Sequence, residues 1–378
     1  MSNNIEIFIA GDFCSKPSTQ HIKVDDKLKN IIQGADISII NFEVPLKPTI
    51  DLPDDGHERF FQNDDAPEFL KSLGFNLFAT ANNHMFDWGD EGYEKVRESF
   101  GDSMFGAGRY NEAYTIKIVE IKGKKIGFLA LTYSARRGVF NDTLNKSGYA
   151  CAYLFDLKVN HIIASAKKEI DYLFILPHAG IEYCDIPTPE LIAKYHDFID
   201  WGADGVIASH PHSPQGWEQY NGKPIFYSLG NFFFNSKPIV DFVAKRPHWY
   251  NGLAVVIDIN ENGIQTEVIN TVNVRNRELK IDDSIEISKH NAYLCELLED
   301  KNKYSDYLLK LLKHKEAQHI KVLSSGVLFG SWKNLIMTNI SFIVDIIKQR
   351  KANKQQNLKA LINDEIIINN IRRLINSK

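Results

Sequence analysis

Cysteine is scarce in this chain, and the spacing of the four cysteines excludes two kinds of site. No two of them form a CxxC pair; they stand at Cys14, Cys151, Cys184 and Cys295. The sequence therefore indicates neither a disulfide framework nor a thiolate zinc cluster. Few, scattered cysteines are typical of proteins in a reducing compartment.

Segments that direct a chain into a membrane are also missing. The first residues, "MSNNIEIFIAGDF", contain no basic region and no apolar region ahead of the first strand candidate, which argues against a signal peptide. No run of 18 apolar residues exists, and the nearest, "LIMTNISFIVDII" at 335–347, contains Asp345. We therefore expect a cytoplasmic protein without a transmembrane helix.

Positive charge is in short supply over most of the chain. Residues 285–378 carry 16 Lys and Arg against 9 Asp and Glu, a net charge of +7, and the total of −4 leaves −11 for residues 1–284. A nucleic-acid partner is not expected, because the main region is acidic and has no compact binding motif. The basic C-terminal segments favour packing against the main domain or self-association. The alternative is peripheral contact with an anionic membrane surface, for which residues 329–351 are best suited.

Short apolar segments alternate with helical patterns, which predicts an α/β fold. The strand candidates are residues 5–11, 36–42, 75–81, 114–121, 125–133, 171–178, 204–210, 224–232, 252–259 and 263–272. Helical spacing occurs between them at residues 65–74, 91–100, 157–170 and 188–202. After about residue 283 the strand signals stop and apolar residues recur at helical spacing. We predict a main domain at 1–280 and a helical region at 281–378.

Polar side chains follow many of these strands, at the point where each strand ends. They are Asp12, Glu43, Asn83 with His84, His178, and His210 with His212. In α/β sheets, ligands bind at the edge where loops leave the carboxyl ends of the strands. These seven polar residues from five strand ends are therefore expected to converge.

Each of these residues taken alone also has a structural explanation. Asp12 fits a turn or a helix cap, and Glu43 fits a solvated loop. Asn83 fits a left-handed turn, and Asp87 fits the cap of a helix that begins near Gly89. An H-x-H pair is a weak signal by itself, although alternate residues of an extended segment point the same way.

Taken together, the residues favour a metal site. Carboxylate and amide oxygens with neutral imidazole nitrogens suit divalent Mn, Zn, Fe or Ni. A histidine beside the metals, rather than bound to them, can protonate a leaving oxygen, and His84 with Asp87 three residues later is the candidate pair.

In this order the motifs resemble those of the CapA family, the capsule or poly-γ-glutamate biosynthesis proteins of the metallo-dependent phosphatase (calcineurin-like phosphoesterase) superfamily. The resemblance covers about residues 5–275 and rests on "GDF", "NFEVPL", "ANNHMFDWGDEG", "HAGIEY" and "SHPHSPQGWEQYNGKPIFYSLGNFFF". It implies a four-layer α/β/β/α sandwich with a centre of two divalent metal ions, and a C-terminal helical appendage outside it.

The resemblance also implies roles for individual residues. Asp12 and His212 would hold one metal, Asn83, His178 and His210 the other, and Glu43 would bridge them. His84 would be the general acid, oriented by Asp87. Glu182 would be a further ligand or support a ligand, and Asn231 would support a ligand or contact substrate.

The sequence departs from the superfamily pattern at the first motif. Many members have Asp-x-His there, whereas this chain has Asp12-Phe13-Cys14, so one ligand of the first metal is missing or replaced by Cys14. Ser209 and Ala179 stand where relatives often carry histidine and tryptophan, and they are expected to alter the pocket wall.

Two functions follow. The first is a metal-dependent phosphoester hydrolase in capsular or cell-envelope polysaccharide biosynthesis, acting on an anionic phosphorylated or polymer-linked substrate, with Arg136 as a candidate substrate contact. The second is a capsule assembly factor that binds an anionic polymer or biosynthetic partners without catalysis. The pair of His84 and Asp87 favours the enzyme, since a binding module has no need of an acid beside the metals.

Overall fold

Apolar strands and amphipathic helices alternate through the chain in the computed structural model, which describes residues 4–49, 59–133, 148–235 and 248–311. The strands are β1 (Ile5–Ser15), β2 (Lys23–Val24), β3 (Ile37–Phe42), β4 (Leu77–Ala79), β5 (Met104–Phe105), β6 (Ala107–Gly108), β7 (Lys117–Ile121), β8 (Lys124–Thr132), β9 (Ala150–Cys151), β10 (Tyr172–His178), β11 (Gly205–Ile207), β12 (Trp217–Tyr220), β13 (Lys223–Phe226), β14 (Asn231–Asn235), β15 (Asn251–Asn260), β16 (Gly263–Val274) and β17 (Glu278–Ile281). The α-helices are α1 (Asp26–Gly34), α2 (Ala66–Leu73), α3 (Gly89–Phe100), α4 (Tyr110–Ala113), α5 (Lys158–Ala166), α6 (Pro189–Asp200) and α7 (Ile285–Glu299). Residues 301–311 are also helical.

Two mixed sheets organise these strands. The first has the order β2-β17-β16-β15-β1-β3-β4-β5, with β14 also paired to β1. The second has the order β12-β13-β11-β10-β8-β7, and β6 pairs with β9 separately. In the first sheet β1, β3, β4 and β5 are parallel neighbours, and in the second β8, β10, β11 and β13 are. Parallel strands of both sheets therefore deliver their carboxyl-end loops to shared edges.

The two sheets pack face to face between outer helices. One apolar core joins residues of both sheets, such as Ile9 and Leu176, with residues of α1 and α2, such as Leu28 and Leu70. A second core lies between the second sheet and the helices α5 and α6, where Phe198 is fully buried. Strands covered on both faces need apolar side chains in both directions, which explains the fully buried sequence of β3. The predicted α/β/β/α sandwich is confirmed.

The pairing of β1 with β14 changes the bounds of two predicted strands. β1 continues past residue 11 to Ser15, since β14 pairs in parallel with Asp12–Ser15. The single strand predicted at 224–232 is wrong, because the chain leaves the second sheet after Phe226 and joins the first at Asn231. Gly230, with φ 65°, makes the turn between them.

Residues 301–311 contact the segment before α6 through two tyrosine hydroxyls. Tyr304 Oη donates to Pro187 O at 2.7 Å, and Tyr307 Oη donates to Asp185 Oδ2 at 2.7 Å. One compact unit runs to Leu308. The boundary at residues 280 and 281 stays a prediction.

Two predicted features fall outside the described residues: the substrate contact Arg136 and the basic segment 329–351. Within the described ranges, no helix combines the length and the apolar character needed to cross a bilayer.

Candidate metal centre

The first sheet brings four polar side chains together on neighbouring strands. Asp12 lies within β1, at an irregularity where its register partners are Asn41 of β3 on one side and Asn231 of β14 on the other. Glu43 directly follows β3. The predicted position of Asp12 at the end of a strand is therefore wrong, since β1 continues for three residues beyond it, but its side chain meets the others as expected.

Asp12 is fully buried and is held from both sides. Its Oδ1 accepts from Asn41 Nδ2 at 2.7 Å, and its Oδ2 accepts from the backbone N–H of His210 at 3.0 Å. Burial raises the pKa of Asp12, but the hydrogen bond and charge of His178 and the charge of His212 outweigh it and hold the pKa below its ordinary value. The carboxylate is therefore ionised in a buried position.

Glu43 is fully buried, and neither of its carboxylate oxygens has a hydrogen-bond partner within the described residues. Its Oε1 lies 3.5 Å from His212 Nε2 and 3.8 Å from His178 Nε2. Burial, followed by the negative charges of Asp12, Glu182 and Asp87, raises the pKa of Glu43 well above its ordinary value. A buried carboxylate without a partner is costly, so this residue points to a cation between it and the imidazoles.

His178, Asn83 and His210 form a compact group around one position. His178 Nε2 lies 2.9 Å from Asn83 Oδ1 and 3.1 Å from His210 Nδ1. Burial lowers the pKa of both imidazoles, most strongly that of His210, which favours the neutral form that binds metals. Asn83 has no left-handed backbone, so that structural explanation does not apply to it.

The ring of His212 is oriented by Asn231. The Asn231 amide donates from Nδ2 to Trp249 O at 3.0 Å, which directs its Oδ1 to the Nδ1–H of His212 at 2.9 Å. In the neutral ring this leaves a lone pair on Nε2, the atom that lies 3.5 Å from Glu43 Oε1. Two acceptors face each other there, an arrangement that a cation would stabilise.

His210 and His212 do not belong to an extended segment, contrary to the prediction. Both have positive φ, 103° and 55°, and flank Pro211 in a tight loop after β11. Such backbone costs about 1–3 kcal/mol per residue and is concentrated at functional sites. The strained loop, rather than strand alternation, turns both rings toward the centre.

His84 and Asp87 form the predicted pair. His84 Nδ1 lies 2.8 Å from Asp87 Oδ2, both side chains are buried, and the backbone N–H of Phe60 donates to the same oxygen at 3.0 Å. Asp87 does not cap α3, whose N-terminal flanking residue is Trp88 with no side-chain cap. Asp87 can therefore orient the His84 ring, and Nε2 is the ring nitrogen that does not contact Asp87.

Cys14 and Glu182, the remaining candidates, lie in different environments. Cys14 is fully buried in a small apolar cluster, and burial, with the nearby charge of Glu43, raises the pKa of its thiol. That environment suits a neutral thiol better than a thiolate ligand. Glu182 is partly buried; burial raises its pKa, but the charges of His210, His212 and His84 lower it to about 2.

Asn41 is a site residue that the sequence analysis missed. Its Nδ2 bonds to Asp12 and also lies 3.1 Å from His178 Nδ1, so one amide links two candidate ligands. The signal was a polar side chain inside the apolar strand "ISIINF", where both faces are covered. Buried polar groups of this kind orient ligands.

Replacing Asn41 with alanine is expected to weaken divalent metal binding by 10- to 100-fold, because Asp12 and His178 lose their shared orienting group. Isothermal titration calorimetry with Mn²⁺ measures the affinity of the variant and of the wild-type protein. Asn291→Ala is the matched control, since Asn291 is equally buried and makes a 2.7 Å bond to Asn270 in another part of the domain. Equal losses of affinity in both variants would show a general effect of unfolding.

The donor set fits a divalent metal ion. Ligand atoms of Asp12, Glu43 and His178 all lie within 4.8 Å of one another. The spacings of 2.9 and 3.1 Å around His178 Nε2 are those of neighbouring ligands, which stand about 3 Å apart when each lies about 2.1 Å from an ion. Asp12 and Glu43, the latter without a hydrogen-bond partner among the described residues, would supply the negative charge that offsets a bound ion.

The sequence has relatives among capsule proteins. It is 30% identical over 212 residues to the PGA biosynthesis protein CapA of Bacillus subtilis, covering 54% of this chain and 55% of that protein. It is 29% identical over 171 residues to the capsule biosynthesis protein CapA of Bacillus anthracis, covering 44% and 42%. The chain thus spans about half the length of the curated relatives it matches.

Among solved structures, a phosphatase from Mycoplasma pneumoniae aligns over 72% of this chain and 95% of its own, at 15% identity and a TM-score of 0.41. Residues 9–236 match the profile of the family described as "Bacterial capsule synthesis protein PGA_cap", a range that includes every candidate ligand. The resemblance inferred from the motifs is confirmed, and the chain belongs to the bacterial capsule synthesis protein (PGA_cap) family.

Proposed function

We propose that this protein is a metal-dependent phosphoester hydrolase that acts in capsular or cell-envelope polysaccharide biosynthesis. The observation that carries the proposal is the buried Glu43 carboxylate, without a hydrogen-bond partner in the described chain and facing His178 and His212. The pair of His84 and Asp87 beside it supports catalysis rather than metal storage. The names of the relatives support the pathway.

The residues divide into two ligand groups that share Glu43. Asp12 and His212 would hold one divalent ion, and Asn83, His178 and His210 would hold the other. Bound ions would supply positive charge that makes a water molecule more acidic and offsets charge on the phosphoryl oxygens. With Cys14 as a buried thiol in place of a histidine, the first group has fewer ligands than the second.

His84 is the proton donor to the leaving oxygen. Water attacks phosphorus, the bond from phosphorus to the leaving oxygen breaks, and that oxygen takes the proton from His84 Nε2. Asp87 accepts from Nδ1–H and stabilises the imidazolium before the transfer. The products are an alcohol and a phosphate that keeps the O–H of the attacking water; the other proton of that water passes to solvent, from which His84 is reprotonated.

Replacing His84 with alanine is expected to lower kcat by about 10²- to 10⁴-fold on phosphoesters with poor leaving groups. The assay uses the full chain with Mn²⁺ or Zn²⁺, on a phosphomonoester and a phosphodiester. Metal content is measured in parallel and should not change, because His84 is not a ligand.

The control is His196→Ala, which removes another imidazole that pairs with a carboxylate. His196 Nε2 of α6 lies 2.6 Å from Glu218 Oε1 of β12. Unchanged turnover in the His84 variant would refute the proton role. A wild-type protein that binds metal but hydrolyses neither ester would instead support the capsule assembly factor.

A further inference from the structure

Two imidazoles outside the ligand groups stack on each other. His248 lies three residues before β15, and His290 lies on α7. Their ring centres are 3.9 Å apart and their planes differ by 13°. Both side chains are partly buried. We call these two residues the histidine pair.

Polar atoms around the histidine pair are left unsatisfied. His290 Nε2 and Asp185 Oδ1 are buried atoms without a hydrogen-bond partner among the described residues. The other oxygen of Asp185 accepts from Tyr307 Oη at 2.7 Å. Asp185 Oδ1 therefore offers a protonated ring an acceptor that the stacked geometry leaves unused.

The surroundings of the stack favour neutral rings. Burial lowers the pKa of both imidazoles below 6.5, and the charge of His248 lowers that of His290 further. The charge of Asp185 opposes the shift at both rings, and that of Glu286 opposes it at His248. A lowered pKa in the folded chain means that the stack stabilises fully above pH 6.5 and less as the pH falls toward that pKa.

The backbone next to His248 leads to His212 of the candidate centre. Trp249 follows His248, and its carbonyl accepts from Asn231 Nδ2 at 3.0 Å. Asn231 Oδ1 in turn lies 2.9 Å from His212 Nδ1. The ring centres of Trp249 and His212 are 5.4 Å apart. A shift of His248 would therefore move the carbonyl that fixes Asn231, and with it the direction of His212 Nε2.

The loop that carries Asp185 reaches the same ring. The ring centre of Tyr183, two residues earlier, lies 5.9 Å from those of His212 and Trp249. The backbone N–H of Tyr183 donates at 2.7 Å to the carbonyl of Pro211, which precedes His212. Segments on both sides of the histidine pair thus carry groups that pack on His212.

We propose that the histidine pair positions His212 for metal binding and makes that binding sensitive to acid. With both rings neutral, α7 holds the segment at His248 in place, and Asn231 keeps His212 Nε2 directed at the centre. A proton on either ring puts a charge into a partly buried stack and loosens it. Bound metal should oppose that proton, because coupling between two binding equilibria is reciprocal. The inference rests on the proposed function for the ions, but not on turnover.

NMR titration of the wild-type chain, labelled at the histidine Cε1 positions, tests the coupling. The signals of the histidine pair are assigned from their loss in His248→Gln and in His290→Gln. Without metal both midpoints should lie below 6.5. Saturating Zn²⁺ should raise both acid dissociation constants about fivefold, the lower end of typical coupling between sites. Midpoints that do not move when Zn²⁺ binds overturn the inference.

Zn²⁺ affinity at about pH 7.5 and about pH 5.5 separates positioning from packing. The variant His248→Gln/His290→Gln keeps planar polar groups that cannot take up a proton. Protonation of the ligand imidazoles weakens binding equally in all proteins, so the loss on acidification should be about fivefold larger in the wild type than in this variant. The control His21→Gln/His161→Gln removes two exposed imidazoles and should lose as much as the wild type. Equal losses in all three proteins overturn the inference.

Neither measurement involves an ester, so the inference and the hydrolase proposal can fail separately. A protein in which Zn²⁺ shifts both midpoints but which hydrolyses no ester supports the inference and refutes the hydrolase. An active hydrolase whose midpoints do not respond to Zn²⁺ keeps the proposed function and overturns the inference.

Discussion

Replacing Glu43 with glutamine is expected to raise the melting temperature of the metal-free protein and to abolish its stabilisation by metal. Most substitutions of a fully buried residue destabilise a protein, so a rise is unusual. The expectation follows from a carboxylate with no hydrogen-bond partner among the described residues, whose Oε1 lies 3.5 Å from His212 Nε2.

The size of the effect can be bounded. Without a metal, leaving the buried carboxylate of Glu43 without a hydrogen-bond partner among the described residues costs about 1–3 kcal/mol. Glutamine avoids this cost, and its amide can donate to His212 Nε2. A gain on the order of 2 kcal/mol corresponds to a rise on the order of 5 °C.

Thermal unfolding in EDTA measures the stability of the metal-free protein, and unfolding in excess Mn²⁺ measures its stabilisation by metal. The wild-type protein should gain about 2.7 kcal/mol when the metal is at 100 times its dissociation constant, whereas Glu43→Gln should gain almost nothing. Glu120→Gln, the same change at an exposed position of β7, should behave like the wild type. A lower melting temperature of Glu43→Gln in EDTA would mean that the carboxylate is satisfied. A full response to Mn²⁺ would mean that it is not a ligand.

The convergence of the site residues was predictable because it depends on topology. Parallel strands have a polarity, so Glu43 after β3 and His178 at the end of β10 had to lie at carboxyl edges, whatever the details of packing. The spacing of His84 and Asp87 was similarly informative, since a short polar loop leaves few partners for a buried imidazole. These features are local in sequence or fixed by strand direction.

Other features of the site depend on contacts between distant segments. Asn41 looks like an ordinary residue of β3 until Asp12 and His178 are placed beside it. The positive φ of His210 and His212 arises in a loop whose backbone is bonded to Asp12, a residue about 200 positions away. Periodicity carries no information on such pairs, so the sequence predicted an extended segment instead.

The division of 224–232 into two strands has the same origin and leads to the second large effect. Replacing Gly11 with alanine is expected to destabilise the protein by at least about 3 kcal/mol and to impair metal binding. A Cβ on Gly11 would lie 2.0 Å from the carbonyl oxygen of Gly230, and that carbonyl accepts from the Asp12 N–H at 2.9 Å. Backbone, unlike a side-chain tip, cannot rotate away, so β1 and β14 must separate there.

Gly34→Ala is the matched control, because a Cβ at this last residue of α1 meets nothing within 4 Å. It should be neutral or stabilising by up to about 1 kcal/mol, since alanine has less freedom to lose on folding. Urea unfolding of both variants gives the free energies, and titration with Mn²⁺ gives the affinities. Gly11 lies where β1, which carries Asp12, meets β14, which carries Asn231. We therefore expect the loss of stability and the loss of affinity to occur together. A stable Gly11→Ala protein with normal affinity would show that the two strands do not meet this closely.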